Sequence, residues 1–328
     1  MLRFVLQRTA SALLLLALLS LIVFVLQAIA PGDPVRASLG ASASAEAVAA
    51  KRKELGLDDA LPARYLRYSL GLLQGDLGQS LRTRRPVLQD LQAFLPATVE
   101  LVGLAFALAL LLALGFALTA ALRWPGTAPL RALLFVLAAA PPFLLALAAI
   151  VLFYGQLGWL PAGGRGFDHS SPTGLLLVDR LVLADASGWL KAARHLLLPA
   201  TVLAIAPALA IGRVLVSSMQ GVLASDYVRT ARAKGLGPAA VLMRHVLRNA
   251  LGPALSMAGL QLGFMFAGVV VVEQVFGWPG MGRYLASSIP VADFPAVAGI
   301  TLVLGAIYIA SNLLVDLLQA AADPRISA

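Results

Sequence analysis

Six apolar runs punctuate the chain, at Thr9–Ala30, Leu101–Leu122, Ala132–Phe153, Leu196–Gly212, Leu251–Val272 and Ala296–Val315. Each is near the roughly 20 residues that a helix needs to cross a bilayer core. Pro141-Pro142 and Pro207 are expected to interrupt the third and fourth. Membranes tolerate such breaks where neighbouring helices or waters satisfy the freed carbonyls. Arg3 and Arg8, ahead of a stretch ending Ala28-Ile29-Ala30, mimic a cleavable signal peptide. The run is longer than the usual apolar region of about 7–15 residues, and Pro31 would follow the cut, so it reads as a retained first span.

The polar stretches between the runs set the expected orientation. Arg3 and Arg8 place the N-terminus in the cytoplasm, and six spans return the C-terminus there. The loop with Arg123 and Arg131 is then cytoplasmic, as is Arg213–Arg248, with six basic residues against the single acid Asp226. The segment Pro31–Pro96, with nine basic and seven acidic residues, is outside. It predicts two helices, Glu46–Leu55 and Pro62–Leu73, around the turn-like Gly56-Leu57-Asp58-Asp59. Its few large apolar side chains cannot bury a core alone, so it is expected to pack on the spans. The second outside loop, Tyr154–His195, reads as irregular.

Composition agrees with lipid as the solvent. Of 328 residues, 60% are hydrophobic and 12% charged, with a mean hydropathy of +0.87; soluble domains carry about 25% charged residues. The net charge of +9 sits largely in loops without interleaved aromatics, so it reads as membrane topology and no nucleic-acid partner is expected. The absence of cysteine excludes disulfides, zinc thiolates and cysteine nucleophiles.

Enzyme chemistry has no foothold. There is no phosphate loop, no G-x-S-x-G and no H-E-x-x-H, and His169, His195 and His245 lack metal-ligand spacing. No cofactor is expected in this chain, which has no recognisable means of binding ATP; if it is a pump, the energy comes from outside the chain. The span centres carry no ionisable residue, which disfavours an ion-coupled secondary transporter. Glu100, Arg213, Glu273 and Asp316 lie near span ends, where water is expected to reach them.

The fourth connection, 213–250, carries the most informative stretch. Asp226-Tyr227-Val228-Arg229-Thr230-Ala231-Arg232-Ala233-Lys234-Gly235-Leu236 reads as a short helix stopped at Gly235, and an amphipathic segment after Gly237-Pro238 feeds the fifth span. Such a helix suits a partner's groove, with Arg229, Arg232 and Lys234 as polar rim contacts; taken alone, the residues equally suit a plain positive-inside connector. Near the end of the fifth span, Gly277, Gly280 and Gly282 around Pro279 are expected to form a tight turn, with Trp278 at the headgroup level. Gly259, Gly263 and Ala267 give that span a flat face, for packing within the chain or on a sister subunit.

These stretches resemble the permeases of binding-protein-dependent ABC importers, in the dipeptide/oligopeptide/nickel branch. Arg229-Thr230-Ala231 and Gly235 occupy the E-A-A and glycine positions of the family's coupling loop, with Arg229 the branch's departure from it. Pro31-Gly32-Asp33-Pro34, Glu54-Leu55-Gly56-Leu57-Asp58, Gly75-Asp76-Leu77-Gly78-Gln79-Ser80, Leu95-Pro96-Ala97-Thr98-Val99-Glu100, Val272–Gly282, Asn312–Asp316 and Asp323-Pro324-Arg325 follow in order.

The resemblance implies an all-α polytopic protein of six transmembrane helices, the type I ABC importer permease fold. It divides the chain into a first tail and span (1–30), a small extracytoplasmic insert (31–97) and a core permease domain (98–328). The implied setting is the bacterial inner membrane, with both termini cytoplasmic. The implied partners are a second homologous permease, two ATP-binding cassette subunits, an extracytoplasmic substrate-binding protein and membrane lipid. Asp226, Tyr227, Arg229, Thr230, Ala231, Arg232, Lys234 and Gly235 would form the ATPase-coupling loop. Glu273, Phe276, Trp278, Pro279, Gly280 and Gly282 would form an outer gate or plug. The branch imports short peptides, nickel, glutathione and other solutes, and Ser171–Asp179 looks most like its dipeptide-type members.

Overall fold

The computed structural model describes residues 2–29, 44–54, 56–122, 124–167 and 171–322, with side chains of 2–4 and 318–322 outside that description. Pro31–Pro34, Leu55, Arg123, His169 and Asp323–Arg325 lie outside the described residues, as does the side chain of Arg3. Every regular element described is helical: α1 (Leu2–Ile29), α2 (Ala45–Glu54), α3 (Leu61–Leu73), α4 (Val87–Ala121), α5 (Ala128–Ala139) and α6 (Pro142–Ala149), which runs on as a π-helical segment, Ile150–Gln156. Then come α7 (Leu176–Val182), α8 (Ala186–Leu223), α9 (Asp226–Ala233), α10 (Pro238–Val241), a π-helical Leu242–Leu247, α11 (Arg248–Val275), α12 (Met281–Ser288) and α13 (Phe294–Ala322).

Five stretches are each long and apolar enough to cross a membrane: Val5–Ile29, Val87–Ala121, Ala186–Leu223, Pro238–Val275 and Phe294–Leu317. The expected third span is not one helix. Ala128–Ala139 and Pro142–Gln156 meet at an angle of 117°. Pro141 adopts an extended conformation (φ −57°, ψ 140°), and Pro142 cannot donate the hydrogen bond that would carry the helix on. The pair still links the two ends of the bundle. Leu130, Leu134 and Leu137 share a crevice with Gly115, Phe116 and Thr119, while Tyr154 shares one with Leu190 and Arg194.

Pro207 behaves otherwise than expected. α8 passes unbroken through Pro199 and Pro207, both buried, and Ala200, Ala204 and Ala208 are buried along the same helix. Gly212 meets α4 closely enough that a Cβ would lie 3.0 Å from the Phe116 ring. The loop read as irregular, Tyr154–His195, in fact contains α7 and the first turns of α8.

Helix α1 lies antiparallel to α13. Arg8 pairs with Asp316 at 3.0 Å near one end, and Gln27 donates to the Phe294 carbonyl at 3.2 Å near the other. The flat face of α11 packs within the chain: a Cβ on Gly259 would meet Val315, and one on Gly263 would meet Tyr308, both on α13. Ala267 is exposed. The insert docks on the spans as expected, with Tyr65 and Tyr68 of α3 against Phe24 of α1 and the Tyr65 hydroxyl 3.0 Å from Ser20. Burial pushes the Tyr68 hydroxyl up to about 12, with the neighbouring Tyr65 adding to the shift.

With the bent pair counted as one span the crossings number six, and that count predicts Ser44 and Ala239 on opposite faces of the membrane. The chain is free of cysteine, so Ser44→Cys and Ala239→Cys each provide a single label site. Impermeant maleimide on intact cells is expected to label the first and spare the second; outside labelling at Ala239→Cys would overturn the topology.

Candidate functional site

Two clusters hold the residues singled out from sequence, one at each end of α11. At the first, Ser225 is extended and α9 begins beside it. Val228 and Ala231 are buried in a cluster with Ala117 of α4, Leu215 and Met219 of α8, and Val246 and Ala250 beyond α10. This one face seats α9 on the ends of three long helices. The helix closes with a paired turn, Gly235 N donating to Arg232 O (2.9 Å) and Leu236 N to Ala231 O (3.3 Å). Such a closure needs a left-handed residue at its first position outside the helix, and Gly235 has φ +82°. A Cβ there would meet nothing within 4 Å, so backbone conformation alone calls for glycine. Leu236 is half-buried against the same cluster.

The opposite face of α9 is open. Asp226, Tyr227, Arg229, Thr230, Arg232 and Lys234 are exposed. The Asp226–Arg229 pair, at 3.4 Å and almost wholly in solvent, contributes little to stability. What remains is a short helix held firmly from behind, with a mainly basic front.

At the far end, Glu273 is fully buried, so water does not reach it as the sequence suggested. Its carboxylate accepts from the Thr98 hydroxyl (2.6 Å) and from Arg283 N (3.0 Å). Thr98 Oγ1 in turn accepts from Met281 N at 2.8 Å. Trp278 is 1% exposed, enclosed by the fold, its indole donating to Ala97 O at 2.9 Å. The glycines divide their work. Gly277 takes the left-handed conformation, φ +59°. Gly280 is required by space, since a Cβ would lie 2.1 Å from Glu273 Oε1, and at Gly282 it would lie 2.5 Å from the backbone of Val270. Phe276 is buried, and Pro279 is partly buried beside it.

A strap from the outer loop closes over this turn. Gly164 N donates to Phe276 O at 2.8 Å. Arg165 pairs with Glu100, donates to Gly174 O at 2.9 Å and lies over the Trp278 ring at 5.4 Å. Glu100, also expected to be wetted, is instead nearly buried and accepts from Leu177 N at 2.6 Å. Nearby, Asp90 of α4 accepts from the Tyr284 hydroxyl of α12 at 2.9 Å. Burial, with this acidic neighbour, pushes that hydroxyl up to about 12. Asp179 orders its own loop. Burial pushes its carboxyl up, and bonds from Ser171, Thr173 and Gly174 more than offset that, leaving it below the usual carboxylate range.

Sequence reasoning therefore found the turn but not its partners. Thr98 and Glu100 sat within Leu95–Glu100 as unassigned members of a motif, and Arg165 carried no local signal. His245 and Arg213 join neither cluster.

Thr98→Val keeps the shape but removes the hydroxyl, leaving a buried carboxylate short of a donor and a buried N–H without its acceptor. The expected loss is about 2–4 kcal/mol, read as a lower melting temperature in detergent, with Thr98→Ser nearer to the parent. An unchanged melting temperature in Thr98→Val would show that the clasp is not structural.

A family described as the inner membrane component of binding-protein-dependent transport systems matches residues 110–328, and the N-terminal region of such membrane components matches 1–102. The chain is 41% identical over 327 residues to the probable D,D-dipeptide transport system permease protein DdpB of Escherichia coli, covering 98% of this chain and 96% of that one. It is 40% identical over 313 residues to the di/tripeptide transport system permease protein DppB of Pseudomonas aeruginosa (94% and 93% covered), and 36% identical over 334 residues to the glutathione transport system permease protein GsiC of Salmonella typhimurium (99% of each). With family matches across nearly its whole length and an all-helical architecture of membrane-spanning length, the chain belongs to the family of inner-membrane components of binding-protein-dependent transport systems.

Proposed function

We propose that this chain is a permease subunit of an ATP-driven importer of short peptides. It would form the path with a second, homologous permease, with two ATP-binding cassette subunits on the face that carries α9 and a substrate-binding protein on the opposite one. The observation that carries the reading is α9 itself, a helix anchored through Val228, Ala231 and Leu236 with its polar face uncovered. The names of the relatives support short peptides as the substrate class.

The fold offers a route for the work. Pro238–Val275 is one continuous 38-residue helical stretch, about 57 Å long at 1.5 Å per residue. Val241, Leu242 and Val246 at its start pack in the cluster that seats α9; Glu273 at its end holds the Trp278 turn. ATP-driven closure of the partners would press on α9, shift the ends of α4, α8 and α11, and bear on the clasp of Glu273 with Thr98. Access then alternates between two packed states, biased by ATP and by the loaded binding protein. Glu273, Phe276, Trp278, Pro279, Gly280 and Gly282 act as the outer gate. No covalent chemistry is assigned to this chain; ATP and magnesium belong to the partners.

Gly235→Val places a β-branched residue at φ +82°, a strain of about 1–3 kcal/mol. The chain is expected to reach the membrane in normal amount, retain less ATPase subunit on purification, and lose dipeptide uptake. Arg229→Ala should be milder. Full uptake and full ATPase association in Gly235→Val would make this segment a simple connector.

The purified chain, free of ATPase subunits, is expected to show no ATP hydrolysis above a protein-free blank. Robust turnover by the isolated chain would overturn the division of labour.

A further inference from the structure

A cavity of about 480 Å³ lies where the end of the α6 stretch meets the first turns of α8. Its wall includes Tyr154, Trp159, Leu190, Lys191, Arg194 and His195. Its depth can be read from the chain. Tyr154 directly follows the apolar run that ends at Phe153, and Lys191 and Arg194 precede the run that starts at Leu196 by five and two residues. At 1.5 Å per residue that is about 7 and 3 Å beyond the apolar core. Tyr154 and Trp159 are 55% and 60% exposed at this level, as befits aromatic rings at a membrane interface.

The charge in the cavity is one-sided. No carboxylate lines it. Lys191 lies over the Phe167 ring at 4.6 Å, and Arg194 reaches only the Trp159 carbonyl at 3.5 Å; among the described residues neither has an acidic partner. Asp185, one turn away, is engaged by Gly188 N, Ser187 and Arg180. His195 is held through Nδ1, which donates to Gly163 O at 3.0 Å, and its Nε2 edge abuts Gly166. The basic groups free to take a ligand are therefore Lys191 and Arg194, side by side on one face of α8. One turn deeper on that face Leu197 is exposed, and Val151 is exposed on the adjacent stretch.

We propose that this cavity binds the phosphodiester of an anionic phospholipid, in the leaflet opposite α9. Two cations with no acidic partner among the described residues stand at phosphate depth, and an apolar track leads from them toward the hydrocarbon. A free anion would use only the cations; an anionic lipid uses both. The lipid would brace the end of α8 beside His195, whose contact with Gly163 supports the strap over Trp278.

The test is native mass spectrometry of the full-length chain in detergent, titrated with phosphatidylglycerol or phosphatidylcholine. At least one phosphatidylglycerol is expected to be retained, with phosphatidylcholine washing off. Lys191→Ala/Arg194→Ala should weaken that lipid about thirtyfold, the effect of two basic groups at a charged surface. Lys191→Arg, and Arg213→Ala/Arg244→Ala near the other end of the bundle, should keep it. Leu197→Gln should weaken the lipid too. Equal retention by the double alanine variant would overturn the proposal. So would displacement of the lipid by millimolar inorganic phosphate, which would mark a free-anion site, or by dialanine, which would mark a peptide carboxylate site.

Discussion

A carboxylate with no access to water governs the end of the bundle opposite α9. Glu273 is enclosed on all sides, and a buried charge without partners would be destabilising by several kcal/mol. Its demand for donors draws in the Thr98 hydroxyl from α4 and the Arg283 N–H from α12. Those two bonds fix how α11 leaves the bundle and how α12 begins. Everything nearby has been shaped to let the carboxylate sit there. Gly280 and Gly282 exist as glycines because the carboxylate and the α11 backbone occupy the space of a Cβ. Trp278 fills the adjoining volume and finds its one acceptor in Ala97 O, beside Thr98.

The same logic ties the outer loop to the spans. Arg165 is a nearly buried charge, and Glu100 meets it from α4, two residues on from Thr98. Because Glu100 also accepts from Leu177 N, α7 is hung from the same point. Three motifs far apart in sequence thus converge on one turn of α4. Breaking the clasp would expose several unpaired groups together, which favours two discrete arrangements over a continuum of partly open ones. The outer gate proposed for this turn needs that property.

At the α9 end the bonding is of another kind. Apolar side chains seat α9, and its closure depends on one backbone conformation at Gly235. Side-chain packing of this sort transmits displacement without specifying a partner, and the exposed polar face is left to do so. Between the two ends the helices approach through small residues, Gly259 and Gly263 against α13 and Gly212 against α4. Close contact of rigid helices lets a push at one end be felt at the other.

The chain's own pattern of apolar runs determined that it is helical and membrane-embedded, since bilayer thickness and backbone hydrogen bonding leave few alternatives. It also determined where α9 begins and stops, because helix termini obey local rules: a glycine with φ +82° serves the same purpose wherever the helix lies. The insert's helices and the family likeness were legible for the same reason. Only the tertiary structure decided the rest. Pro141-Pro142 and Pro207 are both expected to interrupt their runs, yet one site bends the chain by 117° and the other leaves α8 unbroken. Pro142 holds Pro141 extended, whereas Pro207 is buried within a continuous helix. Glu273, Glu100 and Trp278 read as interfacial residues, because residue type and distance from a span end carry no record of what folds over them. Their burial follows from partners roughly 65 to 180 positions away, and such encounters are settled by packing in three dimensions.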